Sequence, residues 1–461
     1  MFIALTLEER FVMNILCAGF SRVDVTPMMG IGLGGYFITR ISDGVLDPLE
    51  INALALSCNK EKVILISIDQ CSLLTEVATD LRKHISEVTG LPTEAIFLHA
   101  THTHTSPYIN KDSDNDLEQE YYRMVYRKMA DAAQLALADL KPARMGYGIG
   151  EAPNIAYIRR FRMKDGSVMT NPGVNNPNIL EPIGTVDERV SILRFDREES
   201  ESIVLVNFAD HPDTVGGCKI SADWPGLLRK TVEKTLDNTK CIFFNGAQGD
   251  VNHVNVHPTG GYMNDMIMDF DDVARGYGHT RYMGRVVAGG VLQAYDKVKY
   301  VDVDSLKYRQ RIMKVPSNMP KPEELQEARR IHALHEAGQG NQLPYSGMML
   351  TTKVAEAARM MRLENGPEYF DMELSGIAIG DIVFVGIPGE PFTGIGRALK
   401  EAEGPEMVIP VCLVNGKYGY FPMREAYEEG GYEAKSSNFR AGVAELIIEE
   451  GQKLIKQLQN N

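Results

Sequence analysis

The chain has 461 residues, of which 44% are hydrophobic and 24% are charged, and its formal net charge is −14. This composition is typical of a globular protein with a large core and not of a disordered chain. A negative surface repels phosphate backbones, and no run of Lys or Arg offsets it locally, so no nucleic acid is expected as a partner. No apolar run reaches the roughly 20 residues that a membrane-spanning helix needs, so no integral membrane segment is predicted.

The N-terminal residues lack the features of an export signal. Glu8, Glu9 and Arg10 interrupt the apolar stretches of this segment, whereas a signal peptide needs a continuous apolar region. Met13-Asn14 directly precedes the first strand-like run, 15–25, so residues 1–13 are interpreted as an N-terminal extension. Residues 14–461 are then expected to form a single domain, and a cytoplasmic location is predicted.

Apolar β-rich runs alternate with segments of helical period, which predicts an α/β fold. Consecutive strands without a helix between them are expected over 188–208 and 300–314, so the sheets should be mixed and flanked by helices. Residues 321–363 read as two charged amphipathic helices around a turn-rich centre, either a helical cap insertion or a pair covering a sheet face. The clearest strand-like runs are 63–68, 95–98, 203–208, 242–244 and 382–387, and the clearest helical segments are 76–88, 117–138 and 227–236.

The first chemically suggestive motif is His102-Thr-His104, which directly follows the strand-like run 95–98. Side chains two residues apart in extended backbone face the same way, so both imidazoles can converge on one point. Two neutral imidazole nitrogens would make half of a zinc site. The alternative is a polar loop with hydrogen-bonded histidines.

Two further candidate ligands follow strand-like runs later in the chain. His211 lies in Asp210-His-Pro, and Asp210 could orient an imidazole by a hydrogen bond; a turn with a solvated histidine is the alternative. Glu390 lies where a strand stops at glycines, and Pro391 suits the first turn of a helix. Glu390 is therefore either presented to a metal or acts as a helix cap.

Glycine-rich segments near the C-terminal end of the chain and after residue 245 hold other polar candidates. Tyr420 and Tyr432 lie in the first of these, and phenol groups can donate hydrogen bonds to a developing oxyanion. Asp250 and His253 lie in the second, where a structural turn beside the active site is favoured over a second metal site.

Several motifs occur in an order that resembles the catalytic domain of the neutral/alkaline non-lysosomal ceramidases, over residues 16–440. The resemblance implies a ceramidase-like α/β catalytic domain. The chain ends soon after the last motif, with a helix over 441–459, so no counterpart of the family's C-terminal immunoglobulin-like domain is expected. The motifs are Met28-Met-Gly30 with Arg40, Ser67-Ile-Asp69, Thr101-His-Thr-His-Thr-Ser-Pro107, His211-Pro212, Gly249-Asp250, Ile387-Pro-Gly-Glu390 and the tyrosine-rich segment.

The resemblance also implies one zinc ion and a set of site residues. It implies catalytic roles for Arg159, with Arg160 as the adjacent alternative, and for Tyr432, which lies twelve positions beyond Tyr420. His104 and Tyr420 are expected to act both as ligands and in catalysis. The five implied metal ligands are His102, His104, His211, Glu390 and Tyr420.

These features predict a zinc-dependent hydrolase that cleaves an amide bond of a small or amphiphilic N-acyl compound with metal-activated water. Arg159 and Tyr432 would stabilise the oxyanion, and Tyr420 could carry the proton to the leaving amine. One alternative is a zinc-dependent esterase, or another hydrolase of a polar metabolite, which suits the charged segment 159–164. Another is a non-catalytic binding protein that keeps the fold. The sequence leaves the substrate, the choice among zinc-like divalent ions and the oligomeric state open.

Overall fold

Two large mixed β-sheets with helices on their outer faces form the centre of the protein, whose computed structural model describes residues 15–460. Among these residues there are also one three-stranded and four two-stranded sheets. The larger sheet has the strand order β14-β12-β11-β6-β1-β3-β4-β5, with β18 beside β6, and the smaller has the order β19-β20-β21-β23. The strands are β1 (Cys17–Asp24), β2 (Gly44–Val45), β3 (Glu50–Cys58), β4 (Glu61–Ile68), β5 (Ile96–Ala100), β6 (Lys141–Glu151), β7 (Tyr157–Ile158), β8 (Arg160–Met163), β9 (Val168–Thr170), β10 (Ile179–Pro182), β11 (Arg189–Arg197), β12 (Ser202–Phe208), β13 (Lys219–Ile220), β14 (Thr239–Asn245), β15 (Val251–Asn252), β16 (Ile267–Met268), β17 (Ala274–Arg275), β18 (Lys299–Val301), β19 (Leu306–Pro316), β20 (Tyr369–Ile379), β21 (Ile382–Gly386), β22 (Glu390–Pro391), β23 (Met407–Val411) and β24 (Tyr420–Phe421).

The helices lie between these strands and at the C-terminal end of the described chain. They are α1 (Thr75–Thr89), α2 (Asp116–Ala138), α3 (Asp223–Thr235), α4 (Tyr277–Tyr295), α5 (Leu325–Glu336), α6 (Gly347–Leu363), α7 (Thr393–Lys400), α8 (Arg424–Glu429), α9 (Tyr432–Ser436) and α10 (Val443–Gln459). The predicted α/β fold with mixed sheets is confirmed, because antiparallel pairs such as β11 with β12 occur beside the parallel pairs β4 with β5 and β12 with β14.

Apolar side chains of the two sheets share one core. Leu54 and Phe244 of the larger sheet pack in the same buried cluster as Phe384 and Ile409 of the smaller sheet. Separate apolar clusters join α1 and α2, and also α3 and α4, to the larger sheet, and α7 and α10 to the smaller one. Burial of both faces explains why these strands appear in the sequence as continuous apolar runs.

The strands at the two ends of the larger sheet meet near their carboxyl ends. The backbone N–H of Asn245, the last residue of β14, donates a hydrogen bond of 3.1 Å to Nε2 of His99 in β5. The His99 ring also contacts the hydroxyl of Ser67 in β4, at 3.1 Å from Nδ1. The loops that follow β5, β12 and β14 are thereby brought to one place.

The segment 321–363 contains two helices, α5 and α6, which pack on each other around a small apolar cluster that includes Ile331 and Val354. The partly buried Phe37 packs against this cluster, and α6 contacts α9. The presence of two helices agrees with the sequence pattern. The interpretation of segment 321–363 as a cap insertion in a single domain stays a prediction. The proposed extension 1–13 lies outside the described residues. Across residues 15–460, no helix is both long enough and apolar enough to cross a bilayer.

Candidate metal centre

The loop after β5 carries His102 and His104, whose Nε2 atoms lie 3.2 Å apart. The backbone of His102 has a φ of 78°, so it turns in the left-handed region and the expected extended course is wrong. The N–H of His102 donates to the carbonyl oxygen of Gln70 at 2.8 Å, which ties the loop to the residues after β4. A local turn therefore brings the two imidazoles together, not strand alternation.

His211 follows β12, and its Nε2 lies 3.3 Å from Nε2 of His102. These residues are 109 positions apart and meet because the end strands of the larger sheet approach each other. Asp210 does not orient an imidazole as the sequence suggested, since its carboxylate accepts a 2.9 Å hydrogen bond from the backbone N–H of His211. Groups other than Asp210 therefore orient the imidazole ring of His211.

Glu390 completes a triangle of possible ligand atoms with His102 and His211. Its Oε2 lies 3.3 Å from Nε2 of each histidine, and the two nitrogens are themselves 3.3 Å apart. Ligands about 2.0–2.1 Å from a tetrahedral zinc ion are separated by about 3.3 Å, so the triangle has the size of one tetrahedral face. Oε2 of Glu390 is buried and accepts no hydrogen bond from the described residues, which suits an atom that binds a cation. The three groups thus fit a zinc-like divalent ion.

Backbone carbonyls direct both histidines of the triangle. Nδ1 of His102 lies 2.6 Å from the carbonyl oxygen of Cys71, and Nδ1 of His211 lies 2.9 Å from that of Gln248. A carbonyl only accepts, so each Nδ1 carries the hydrogen and donates it. The lone pair of each neutral ring is then left on Nε2, facing the third side chain, as metal ligation requires.

The charges of the triangle are strongly coupled. Burial opposes the charged forms of His102 and Glu390, but their proximity raises the pKa of His102 to about 10 and holds the pKa of Glu390 well below its usual range. Burial and the neighbouring Arg159 lower the pKa of His211 to about 4. A proton held between His102 and Glu390 thus balances the negative charge of the carboxylate, and a divalent cation could take the place of this proton.

His104 lies beside the triangle and not in it. Among the described residues, His102, His211 and Glu390 are close enough to share an ion, whereas His104 groups with His102 and Cys71. Nδ1 of His104 lies 3.5 Å from Oδ1 of Asp213. Its predicted role as a ligand stays a prediction, and its geometry also suits a group that exchanges protons at the edge of the site.

The helix-cap alternative for Glu390 is wrong, because Asp250 takes that role. Helix α7 begins at Thr393, two residues after Pro391, so Pro391 belongs to the short strand β22 and not to the first helical turn. Oδ1 of Asp250 accepts a 2.7 Å hydrogen bond from the N–H of Thr393. Asp250 thus acts as a structural group, which leaves the Glu390 carboxylate free to face the histidines. His253 likewise makes a structural contact, of 2.8 Å from Nε2 to the Ala274 carbonyl oxygen.

Tyr420 and Tyr432 line one side of the triangle. The ring of Tyr420 lies nearly parallel to that of His211, at 20° between planes and 6.5 Å between centroids, and Tyr432 meets Tyr420 edge-on at 5.5 Å. Burial and the nearby Glu390 raise the pKa of both phenols, so both are protonated near neutral pH. Protonated phenols can donate hydrogen bonds to a substrate oxygen.

Arg159 faces the site and Arg160 faces away from it. Nη1 of Arg159 lies 3.4 Å from Nε2 of His211, and its guanidinium carbon lies 5.3 Å from the centre of the Tyr420 ring. Arg160 instead donates to Glu429 at 3.1 Å and to the carbonyl oxygen of Gly430. Of the two adjacent arginines, only Arg159 is positioned to contact a substrate at the triangle.

Two buried carboxylates near the site were missed in the sequence. Nε of Arg159 donates to Oε1 of Glu433 at 2.6 Å, and Glu433 is fully buried. Asp213 beside His104 is held by Arg275, whose Nε and Nη2 donate at 2.9 and 2.8 Å. Only their positions in the sequence could have indicated these carboxylates, since each lies within two residues of a predicted site residue.

The fold and the site define a class of protein: a mixed-sheet α/β protein with a candidate His₂Glu metal centre where several strands end. No protein-family model matches the sequence, and no curated protein matches it. Among solved structures, neutral ceramidase from Pseudomonas aeruginosa is similar, with a TM-score of 0.73 and 17% identity over 97% of this chain and 75% of that chain. A ceramidase complexed with C2 is similar with a TM-score of 0.71 and 16% identity, over 97% and 76%. The predicted resemblance to the neutral ceramidase catalytic domain is thus confirmed at the level of the fold.

Proposed function

We propose that the protein is a zinc-dependent hydrolase that cleaves the amide bond of an N-acyl compound with water. The observation that carries the proposal is the 3.3 Å triangle formed by Nε2 of His102, Nε2 of His211 and Oε2 of Glu390. Catalytic zinc sites use three protein ligands and keep a further position open, and two histidines with one glutamate are a known set. The neutral ceramidase fold of the solved neighbours supports an amide as the bond that is cleaved.

A zinc ion bound there would polarise the substrate carbonyl and supply a water molecule acidic enough to attack near neutral pH. We infer that His102, His211 and Glu390 hold the ion, with Tyr420 as a further ligand on the same side. The backbone carbonyls of Cys71 and Gln248 keep the two imidazoles oriented, so little reorganisation is needed on binding.

Arg159 and Tyr432 supply hydrogen-bond donors on one side of the triangle. Attack on an amide carbonyl places negative charge on its oxygen, and donors already fixed around that position stabilise the charge most. Glu433 holds the Arg159 side chain from behind at 2.6 Å, which fixes its direction. We infer that the guanidinium of Arg159 and the phenol of Tyr432 bind the substrate carbonyl oxygen as this charge develops.

Hydrolysis of an amide also moves one proton from the attacking water to the leaving nitrogen. His104 is placed for this transfer, because its Nε2 lies 3.2 Å from Nε2 of His102 and its Nδ1 lies 3.5 Å from the Asp213 carboxylate. Burial lowers the pKa of the His104 ring well below its usual range, so a protonated ring would give up its proton readily. We infer that His104 accepts the proton at Nε2 and returns it to the amine, with the hydroxyl of Tyr420 as the alternative carrier. The products are a carboxylic acid and an amine.

The test combines metal analysis with a substrate panel. The purified protein should contain one zinc ion per chain by inductively coupled plasma mass spectrometry, and it should release amine from N-acyl compounds. A chelator should abolish turnover and lower the melting temperature, because an ion that binds only the folded state stabilises it. Added zinc should restore both properties.

The matched variants are His102→Ala and His257→Ala, since His257 is exposed on a distant loop. His102→Ala should lose zinc and turnover together, whereas His257→Ala should retain both. A His102→Ala protein that kept stoichiometric zinc would remove His102 from the ligand set. Cleavage of esters but not of amides would replace the proposed amidase with an esterase, and bound zinc without any turnover would favour a binding protein. A cytoplasmic location remains a prediction.

A further inference from the structure

A lysine without a committed partner lies on the loop that leads to Tyr420. Lys417 is half-buried, and its backbone N–H donates to the Thr75 hydroxyl at 3.4 Å, which anchors the loop above the start of α1. The Glu390 carboxylate acts on the charge of the Lys417 ammonium, and Glu390 already contacts two histidines. The N–H of Tyr418, the next residue, donates to the carbonyl oxygen of Pro388 at 2.9 Å, so Lys417 lies beside the loop that carries Glu390, and its ammonium pairs with no carboxylate among residues 15–460.

Arg362, near the end of α6, lies on the same side of the site. Its Nη2 donates a 2.6 Å hydrogen bond to Oδ1 of Asn438, and Nδ2 of Asn438 donates a 2.9 Å hydrogen bond to the carbonyl oxygen of Tyr418. Asn438 thus connects the Arg362 guanidinium to the residue next to Lys417. Arg362 is exposed, and within residues 15–460 it forms no ion pair with a carboxylate.

Two neighbouring cations without a carboxylate are unfavourable unless an anion joins them. Like charges repel each other, and the partial burial of Lys417 removes part of the water that would screen its charge. Burial acts to lower the pKa of Lys417, but Cys71, Tyr108 and Glu390 raise it, so the ammonium is charged at neutral pH. The chain as a whole carries a formal charge of −14, so surplus positive charge here is local to the site.

We propose that Lys417 and Arg362 form a binding subsite for a carboxylate group that the substrate carries beside its scissile amide. This inference rests on the proposed amide hydrolysis and specifies its substrate class as N-acyl amino acids or close analogues. The fork of Arg362 matches the two oxygens of a carboxylate, and Lys417 adds a point charge. A neutral sphingolipid-like amide has no group for this subsite.

The experiment compares two substrates with the same acyl chain and the same side chain. One is an N-acyl amino acid, and the other is the corresponding N-acyl amino alcohol, in which a neutral CH₂OH group replaces the carboxylate. The zinc-loaded wild-type protein should cleave the acid with a kcat/KM about tenfold or more above that of the alcohol, since charge-assisted hydrogen bonds are lost with the alcohol. Most of this difference should be in KM.

The variants are Lys417→Met and Arg362→Met, with Lys60→Met and Arg285→Met as matched controls at exposed positions remote from the site. Lys417→Met and Arg362→Met should each lose about tenfold in kcat/KM on the acid and change little on the alcohol, while the controls keep the wild-type preference. Lys417→Glu should reverse the preference. Melting curves and zinc content show that each variant is folded and loaded.

A second measurement tests the subsite without turnover. Isothermal titration calorimetry with the chelated, metal-free protein should show binding of the N-acyl amino acid that weakens in Lys417→Met and Arg362→Met. If the wild-type protein bound and cleaved acid and alcohol equally well, or if the variants lowered both rates alike, the subsite would be refuted while amide hydrolysis stood. If no amide were cleaved but carboxylate binding depended on Lys417, the proposed function would fail and the subsite would remain. Absence of both carboxylate binding and carboxylate preference in the wild-type protein would overturn the subsite.

Discussion

Glu390 and Tyr420 are direct partners in the short parallel ladder between β22 and β24, although 30 residues separate them in the chain. The N–H of Glu390 donates to the carbonyl oxygen of Gly419 at 2.9 Å, which fixes the register of the pair. Paired residues on neighbouring strands place their side chains next to each other. The ladder therefore sets the carboxylate of the metal triangle beside the phenol of Tyr420.

The first prediction concerns the hydroxyl group of Tyr420. Tyr420→Phe leaves the ladder with Glu390 intact and removes only the hydroxyl, so zinc affinity should fall by about 10–100-fold without a change in fold. Competition titrations with a chromophoric chelator measure this affinity. Tyr418→Phe in the same loop is the control, since the Tyr418 hydroxyl contacts the carbonyl oxygen of Asp371 at 3.2 Å, away from the triangle. Equal zinc affinity in wild type and Tyr420→Phe would show that the phenol is not a ligand.

The second prediction concerns the ion pair between Arg159 and Glu433. Glu433→Gln leaves the buried guanidinium without its 2.6 Å carboxylate partner, so the free energy of unfolding should fall by about 3 kcal/mol. Because Arg159 also loses its fixed direction, kcat should fall more than KM changes, while zinc content stays at one per chain. Urea unfolding and steady-state kinetics measure these effects.

Glu429→Gln provides a comparison for Glu433→Gln, because Glu429 pairs with Arg160 and Arg162, outside the triangle. This variant should lose less stability and keep its kcat. Glu433→Asp, which keeps the charge, should recover part of the lost kcat. A Glu433→Gln protein with wild-type kcat would show that Arg159 needs no carboxylate behind it.

The third prediction concerns Asp213 and the orientation of His104. Asp213→Asn removes the negative charge 3.5 Å from Nδ1 of His104, and turnover should fall by about 10–100-fold with zinc still bound. Asp271→Asn is the matched control, because Asp271 also pairs with Arg275, at 2.7 Å, but does not contact His104. Equal turnover in Asp213→Asn and Asp271→Asn would show that the ion pairs of Arg275 serve stability alone.

The fourth prediction concerns the pH dependence of stability at Asp187. Burial would raise the pKa of this carboxyl, but hydrogen bonds from Arg189 at 2.7 Å and Lys400 at 2.9 Å hold the pKa well below its usual range. A lowered folded-state pKa contributes stability above the unfolded-state pKa of about 3.9, and this contribution is lost as the pH falls through the folded-state value.

Asp187→Asn should therefore cost roughly 2 kcal/mol at pH 7, and the difference from wild type should shrink as the pH falls below about 4. Urea unfolding at pH 7, 5 and 3 measures it. Asp296→Asn is the control, because Asp296 is largely exposed and should show little effect at any pH. A penalty for Asp187→Asn that stayed constant down to pH 3 would contradict the assigned charge pair.

Local pattern predicted much of the fold. The runs 63–68 and 203–208 are strands β4 and β12, and 117–138 falls within α2, because apolar periodicity within a short window reports whether one face or both faces are buried. The same windows missed the two-residue strand β22, since pairing there depends on β24, 30 residues later. The start of α7 was misplaced for a related reason, because its cap, Asp250, comes from a distant loop.

Local pattern also identified residue types with the right chemistry, but not their arrangement. His102, His211 and Glu390 were singled out because each follows an apolar strand, and the structure brings them within 3.3 Å of one another. The groups that orient the rings of His102 and His211 could not be predicted from the sequence in the same way. The carbonyl groups of Cys71 and Gln248 belong to the backbone, which every residue has, so no residue type marks them.

By itself, the sequence determined the α/β class and the inventory of imidazoles, carboxylates and phenols, since periodicity and side-chain chemistry are local properties. Only the tertiary structure decided that His102, His211 and Glu390 form a triangle, that Arg159 and not Arg160 faces it, and that Asp213, Glu433 and Lys417 surround it. These relationships join strands and loops far apart in the chain. They depend on how the larger sheet brings its end strands together, which no short stretch of sequence encodes.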